Sequence, residues 1–210
     1  MVFIPTDNVV FPDYSLADND GLLAIGGNLL PKTLINAYKL GIFPWFNEHE
    51  PICWHAPDPR FVLFPEKIKI SKSMRKVLQS NDFSFTENTN FEAVISHCSK
   101  ANRKDQTGTW ISQEMIDAYI RLHQLGYAKS IEVWKDNQLV GGFYGIELDN
   151  VFCGESMFAL ESNASKFGFI SFVQKHKEKY KIIDCQSYTA HLESLGAEYI
   201  SRKLFLSYLK

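Results

Sequence analysis

Runs rich in Val, Ile, Phe and Tyr at 129–134, 138–147 and 150–158 predict three consecutive strands. The links between them, Lys135-Asp-Asn137 and Leu148-Asp-Asn150, carry the Asp and Asn that tight hairpins favour, so the three should form an antiparallel meander. Ahead of them, apolar residues recur at helical spacing over 70–80, 90–100 and 112–126. In the third of these helices Ser112 supplies a cap, Glu114 sits in the first turn and Gly126 closes it. After the meander the pattern predicts a helix over 163–179, a strand over 181–186, a short helix near 190–195, and a terminal strand or helix through Tyr208. The first sixty residues are punctuated by prolines and by Gly26-Gly27, which imposes short elements and shaped loops. One helix fits there, over 31–40, with Pro31 in its first turn and Gly41 at its end. A strand over 60–64 leads out of this region, placing a boundary near residue 63 in an α+β plan.

With 45% apolar residues in 210, the chain can bury a sizeable core. It has no apolar stretch of roughly eighteen residues and no basic-then-apolar start, so neither membrane insertion nor export is expected, and the cytoplasm is the expected location. Cys53, Cys98, Cys153 and Cys185 form no C-x-x-C pair, and the histidines form no H-x-x-x-H spacing, so neither a disulfide framework nor a metal is expected. A net charge of −2 excludes a surface that is basic throughout, leaving room only for a local patch. Lys67, Lys69, Lys72, Arg75 and Lys76 make one, either as a solvated helix face or as phosphate contacts.

Polar residues inside strands carry the chemical signal. In Ile182-Ile-Asp-Cys-Gln186, period-2 alternation puts Asp184 and Gln186 on one face and Cys185 on the other, towards the core. In Val151-Phe-Cys-Gly-Glu-Ser-Met-Phe158 it puts Glu155 and Met157 on one side. Ser165, Phe169, Phe172 and His176 share a helix face that follows this strand, through either ordinary core packing or an apolar pocket made with Met157 and Phe143. A neutral amide such as Gln186 can accept a hydrogen bond from an amine but is a very poor base. Trp54 and Trp110 sit at loop-to-element junctions, as core residues or as stacking platforms, with Tyr119 a weaker addition. The glycines of Gln138-Leu-Val-Gly-Gly-Phe-Tyr-Gly145 fall inside a predicted strand, which makes a coenzyme A phosphate loop the lesser reading.

Together with Ala17-Asp-Asn-Asp-Gly-Leu-Leu-Ala-Ile-Gly-Gly27, Gly41-Ile-Phe-Pro-Trp-Phe46 and Ala56-Pro-Asp-Pro-Arg60, those two strand segments make the chain resemble the leucyl/phenylalanyl-tRNA–protein transferases over nearly its whole length. The resemblance implies a small N-terminal domain (1–63) and an N-acetyltransferase-like catalytic domain (64–210), with a mostly antiparallel splayed sheet flanked by helices. It implies a monomer that moves leucine or phenylalanine, and methionine weakly, from tRNA to an N-terminal Arg or Lys, marking the product for degradation by the N-end rule. The donor would be an activated ester, so aminolysis needs no ATP, cofactor or covalent intermediate, only positioning and oxyanion stabilisation. In that reading Asp184 orients Gln186 at the attacking amine, and Phe143, Met157, Phe169 and Phe172 seat the aminoacyl side chain. Glu155, Trp54, Trp110 and Tyr119 would contact the aminoacyl-adenosine or the acceptor, and Lys72, Arg75 and Lys76 the tRNA phosphates. The chain departs from the family at Cys53, where a second tryptophan is frequent, at Phe143, where methionine is common, and in stopping at Lys210 where relatives continue.

Overall fold

The computed structural model describes residues 2–101 and 111–210. The N-terminal part contains β1 (Val2–Ile4), β2 (Leu22–Gly26), α1 (Pro31–Lys39), β3 (Phe43–Pro44) and β4 (Cys53–His55), its strands ordered β1-β2-β4-β3 in one small sheet. There follow β5 (Arg60–Leu63), α2 (Lys72–Gln79), β6 (Ser84–Glu87), α3 (Phe91–Lys100) and α4 (Gln113–Gln124). The meander is β7 (Ala128–Lys135), β8 (Gln138–Leu148) and β9 (Val151–Ala159). The chain ends through α5 (Ala164–Lys175), β10 (Ile182–Gln186), α6 (Ala190–Ser194), β11 (Glu198–Ile200) and α7 (Arg202–Ser207).

Local chemistry sets these limits. Ser71, Asn90, Ser112, Thr189 and Ser201 each accept the backbone N–H three residues on, capping α2, α3, α4, α6 and α7. Asp136 and Asn137 both adopt left-handed φ (50° and 61°), the geometry of a two-residue hairpin turn. The predicted terminal "strand or helix" is both in succession, with Ser201 as the break.

β11-β5-β10-β9-β8-β7-β6 form the large sheet, antiparallel throughout except for the β9–β10 pair. β5, which ends at residue 63, is thus an interior strand of this sheet, between β11 and β10. Neighbouring residues feed opposite faces, as a pleated strand requires. Val62, Tyr144 and Ile182 pack with α1, α3, α4 and the small sheet, whereas Leu63, Phe143 and Ile183 pack with α2 and α5. Among the described residues no helix is long and apolar enough to cross a membrane.

Candidate active site

β9 and β10 run side by side only from the Val151–Ile182 pair to the Cys153–Asp184 pair. Beyond it β9 continues on β8 alone, and β10 ends at Gln186. The sheet opens there around a cavity of about 560 Å³, walled by β3, β8, β9, α5, β10 and the segment running into α6.

Each lip of the opening is irregular. Tyr144 faces Ser156 and Gly145 faces Gly154, which leaves Glu155 as an extra residue in β9. In β10 the register slips between Asp184 and Gln186, and Gln186 takes a φ of 61°. Bulges re-aim side chains, and these two bring Gln186 Nε2 to Glu155 Oε1 as donor to acceptor at 2.8 Å. The amide oxygen of Gln186 is left to accept from a ligand. The simple alternation expected for these strands therefore fails where it matters most. Glu155 reaches Tyr38 and Tyr119 on one face of the sheet, while Met157 packs with Phe143 on the other, which corrects the expectation that they share a side.

Asp184 is 0% exposed. Its Oδ1 accepts from Arg60 Nε at 2.8 Å and its Oδ2 from Arg60 Nη2 at 2.7 Å. Arg60 is itself 2% exposed, held between the rings of Phe43 and Phe205 at 4.6 and 4.7 Å. Oδ1 also accepts the backbone N–H of Gln186 at 2.9 Å, anchoring the left-handed conformation that a side-chain-bearing residue adopts at a cost. Asp184 thus orients Gln186 through its backbone, and both carboxylate oxygens are occupied. Arg60, read from the sequence as the start of a strand and the end of the Ala56–Arg60 segment but given no role, is the missing partner.

Glu155 closes a buried chain of hydroxyls. Tyr119 donates to Glu155 Oε2 at 3.1 Å, and the Tyr119 hydroxyl is in turn hydrogen-bonded to that of Tyr38. Burial raises the Glu155 carboxyl to about 7, against the hydrogen bonds from Tyr38, Gln186 and Tyr119, which favour the carboxylate. Tyr119 is fully buried and has no face open for stacking.

Phe143, Met157 and Phe169 form an apolar wall of the cavity, the two phenylalanine rings 5.7 Å apart. Phe172 does not reach it. One helical turn further along α5, it is 1% exposed and packs against Phe143, Phe152 and Tyr180, a core position behind the wall. Cys185, expected in the core, touches the cavity, but burial raises its thiol far above the usual range and leaves no thiolate nucleophile.

The tryptophans divide differently from the sequence reading. Trp54 is wholly buried, its Nε1 donating to the Gly26 carbonyl at 2.8 Å, so it has no surface to offer a base. Trp110 lies outside the described residues. Trp45, within the quoted Gly41–Phe46 segment but not singled out, is 42% exposed on the cavity rim. The polar run Asn47-Glu-His-Glu50 right after Phe46 is the signal that the chain is leaving the core there. Lys72, Arg75 and Lys76 are exposed on α2, with no ion pair among the described residues, while Met74 of the same helix is buried and α2 packs on α5.

Residues 62–210 match the family model described as leucyl/phenylalanyl-tRNA protein transferase, and residues 27–58 match the model of its N-terminal domain. A protein of Flavobacterium johnsoniae named leucyl/phenylalanyl-tRNA–protein transferase is 58% identical over 204 residues, covering 97% of this chain and 96% of its own. One of the same name from Christiangramia forsetii is 57% identical, covering 95% of each chain. Among solved structures, a GCN5-related N-acetyltransferase from Kribbella flavida aligns over 85% of this chain and 63% of its own at 11% identity and a TM-score of 0.39, a level at which no function transfers. On the two family matches and these relatives, the chain belongs to the leucyl/phenylalanyl-tRNA protein transferase family of aminoacyltransferases.

Proposed function

We propose that the protein transfers leucine or phenylalanine, and methionine more weakly, from aminoacyl-tRNA to the N-terminal Arg or Lys of acceptor proteins in the cytoplasm, acting as a monomer and marking its products for N-end rule degradation. The observation that carries this reading is the parting of β9 and β10, where the Gln186–Glu155 pair meets an apolar wall of Phe143, Met157 and Phe169. Such a wall takes a hydrophobic side chain that is not branched at Cβ, and Met157 adapts to both leucine and phenylalanine. Gln186 Oε1 accepts from the α-amino group of the acceptor and aims its lone pair at the ester carbonyl. A free α-amino group titrates at about 7.7–8.0, so a useful fraction is neutral near physiological pH. The chemistry left to the enzyme is alignment of two reactants, one of them already activated. Trp45 at the rim is the stacking platform for the terminal adenosine, and the cations of α2 hold phosphates of the acceptor stem.

Incubation with leucyl-tRNA and a peptide beginning with arginine, without ATP, should give a leucylated peptide. Acetylation from acetyl-coenzyme A in place of this would support the acetyltransferase alternative, and tRNA retention without turnover an RNA-binding adaptor. Replacing both Arg75 and Lys76 by alanine should weaken tRNA binding and flatten its dependence on salt by about two contacts' worth, because each neutralised phosphate releases a counterion. An unchanged slope would return α2 to a solvated surface.

A further inference from the structure

We propose that Glu155 is the acid–base residue of the transfer, taking the proton from the attacking amine and passing it to the departing ribose oxygen. This rests on the transferase reading and gives that site the proton acceptor it otherwise lacks. As the amine nitrogen bonds to the ester carbonyl carbon, one N–H proton moves to Glu155 Oε1. As the carbon–oxygen bond to the ribose breaks, the same proton leaves Glu155 for that oxygen, so the products are an amide and a free hydroxyl, with no net proton gained or lost.

Of the other ionisable groups on the cavity wall, Asp184, Cys185 and Tyr188 are already committed. Asp184 has both oxygens engaged by Arg60 and the Gln186 backbone and no exposed surface. The Cys185 thiol is held protonated by burial. Tyr188 donates to Glu193 Oε2 at 2.8 Å. His191 also lines the cavity, but among the described residues its ring makes no hydrogen bond to Gln186 or Glu155 that would hold it at the amine. Gln186 is a neutral amide and cannot hold the proton. Glu155 faces the cavity beside the amide that aims the amine, and its carboxyl, with about four lone-pair sites, takes hydrogen bonds from three residues, Gln186, Tyr119 and Tyr38, leaving one for a substrate proton. Its surroundings match the task. Tyr38 on α1, Tyr119 on α4, Tyr144 on β8, Cys153 on β9, Asp184 on β10 and Arg60 on β5 are the titratable and charged groups around it. The burial that raises the carboxyl to about 7 leaves both protonation states accessible near neutral pH, where general acid–base exchange is most efficient.

Glu155→Gln keeps an oxygen to accept from Gln186 Nε2 and so separates proton transfer from positioning. Single-turnover transfer from leucyl-tRNA to an arginyl peptide, both saturating, should rise in rate through about pH 7 in the wild type. In Glu155→Gln the rate should fall on the order of 10²-fold or more, and the limb rising through about pH 7 should vanish, leaving only the rise at about 7.7–8.0 from the amine itself, with the peptide KM and tRNA affinity little changed. Tyr119→Phe removes a hydrogen bond that favours the carboxylate, so its limb should move to higher pH. A Glu155→Gln rate within about threefold of wild type, a loss lying wholly in the peptide KM, or a limb unmoved by Tyr119→Phe would overturn the assignment. Absence of transfer by the wild type would sink the transferase reading along with it.

Discussion

Asp184→Ala should destabilise the fold by about 3–5 kcal/mol, more than any loss expected of a surface site, because it strands a buried guanidinium without its counter-charge. Arg60 cannot turn to water. It lies at 2% exposure between Phe43 and Phe205, with both of its bonded nitrogens spent on Asp184. The same substitution releases the backbone N–H of Gln186 and with it the bulge that points Gln186 at Glu155. Asp184→Asn keeps an acceptor for that N–H and should lose less stability and less turnover than Asp184→Ala. Urea unfolding midpoints read beside transfer rates per folded molecule check both effects. An unshifted midpoint for Asp184→Ala would mean that the Arg60 pair contributes nothing, and normal turnover would mean that Gln186 needs no anchor.

Phe172→Ala and Met157→Ala should fail in opposite ways, although the two residues read alike in the sequence. Phe172, packed among Phe143, Phe152 and Tyr180, should cost about 3–5 kcal/mol of stability, the usual penalty for emptying a buried aromatic site. Its effect on transfer should disappear once folded protein is counted. Met157 lines the cavity and is only half-buried, so its truncation should spare the fold and lower kcat/KM for leucyl and phenylalanyl donors by about tenfold to a hundredfold. Thermal melts and donor kinetics of the two variants separate the cases. A Met157→Ala enzyme with unchanged donor kinetics would remove Met157 from the pocket.

What the sequence made legible was local. Ser112 placed the start of α4 and Pro31 that of α1, and Asp136-Asn137 and Asp149-Asn150 placed the meander's turns, because the turn conformation needs those residue types wherever the rest of the chain goes. β6 escaped notice as a four-residue edge strand, and β1, β3 and β4 of the small sheet are shorter still. Alternation found Asp184, Gln186 and Glu155 as residues out of keeping with their strands, then assigned Glu155 to the wrong side. A single inserted residue reverses the facing of every position beyond it, and both bulges fall at the cavity. Arg60 could not be recognised as a partner of Asp184, 124 residues away, since nothing near it in the chain marks a buried cation. Trp45 and Trp54 sit at similar loop junctions, and only the packing of Phe11 and Gly26 around Trp54 decides which is sealed.

On the proposed function, the gap between β9 and β10 seats an aminoacyl ester. The most direct test is a structure with a leucyl amide analogue of the terminal adenosine, in which the ester oxygen is replaced so that transfer cannot occur. The leucyl side chain should lie against Met157 and Phe169, the carbonyl beside Gln186 and Glu155, and the adenine on Trp45. A ligand bound elsewhere on the protein, or one that fills the gap with its leucyl group turned away from Met157 and Phe169, would contradict the account.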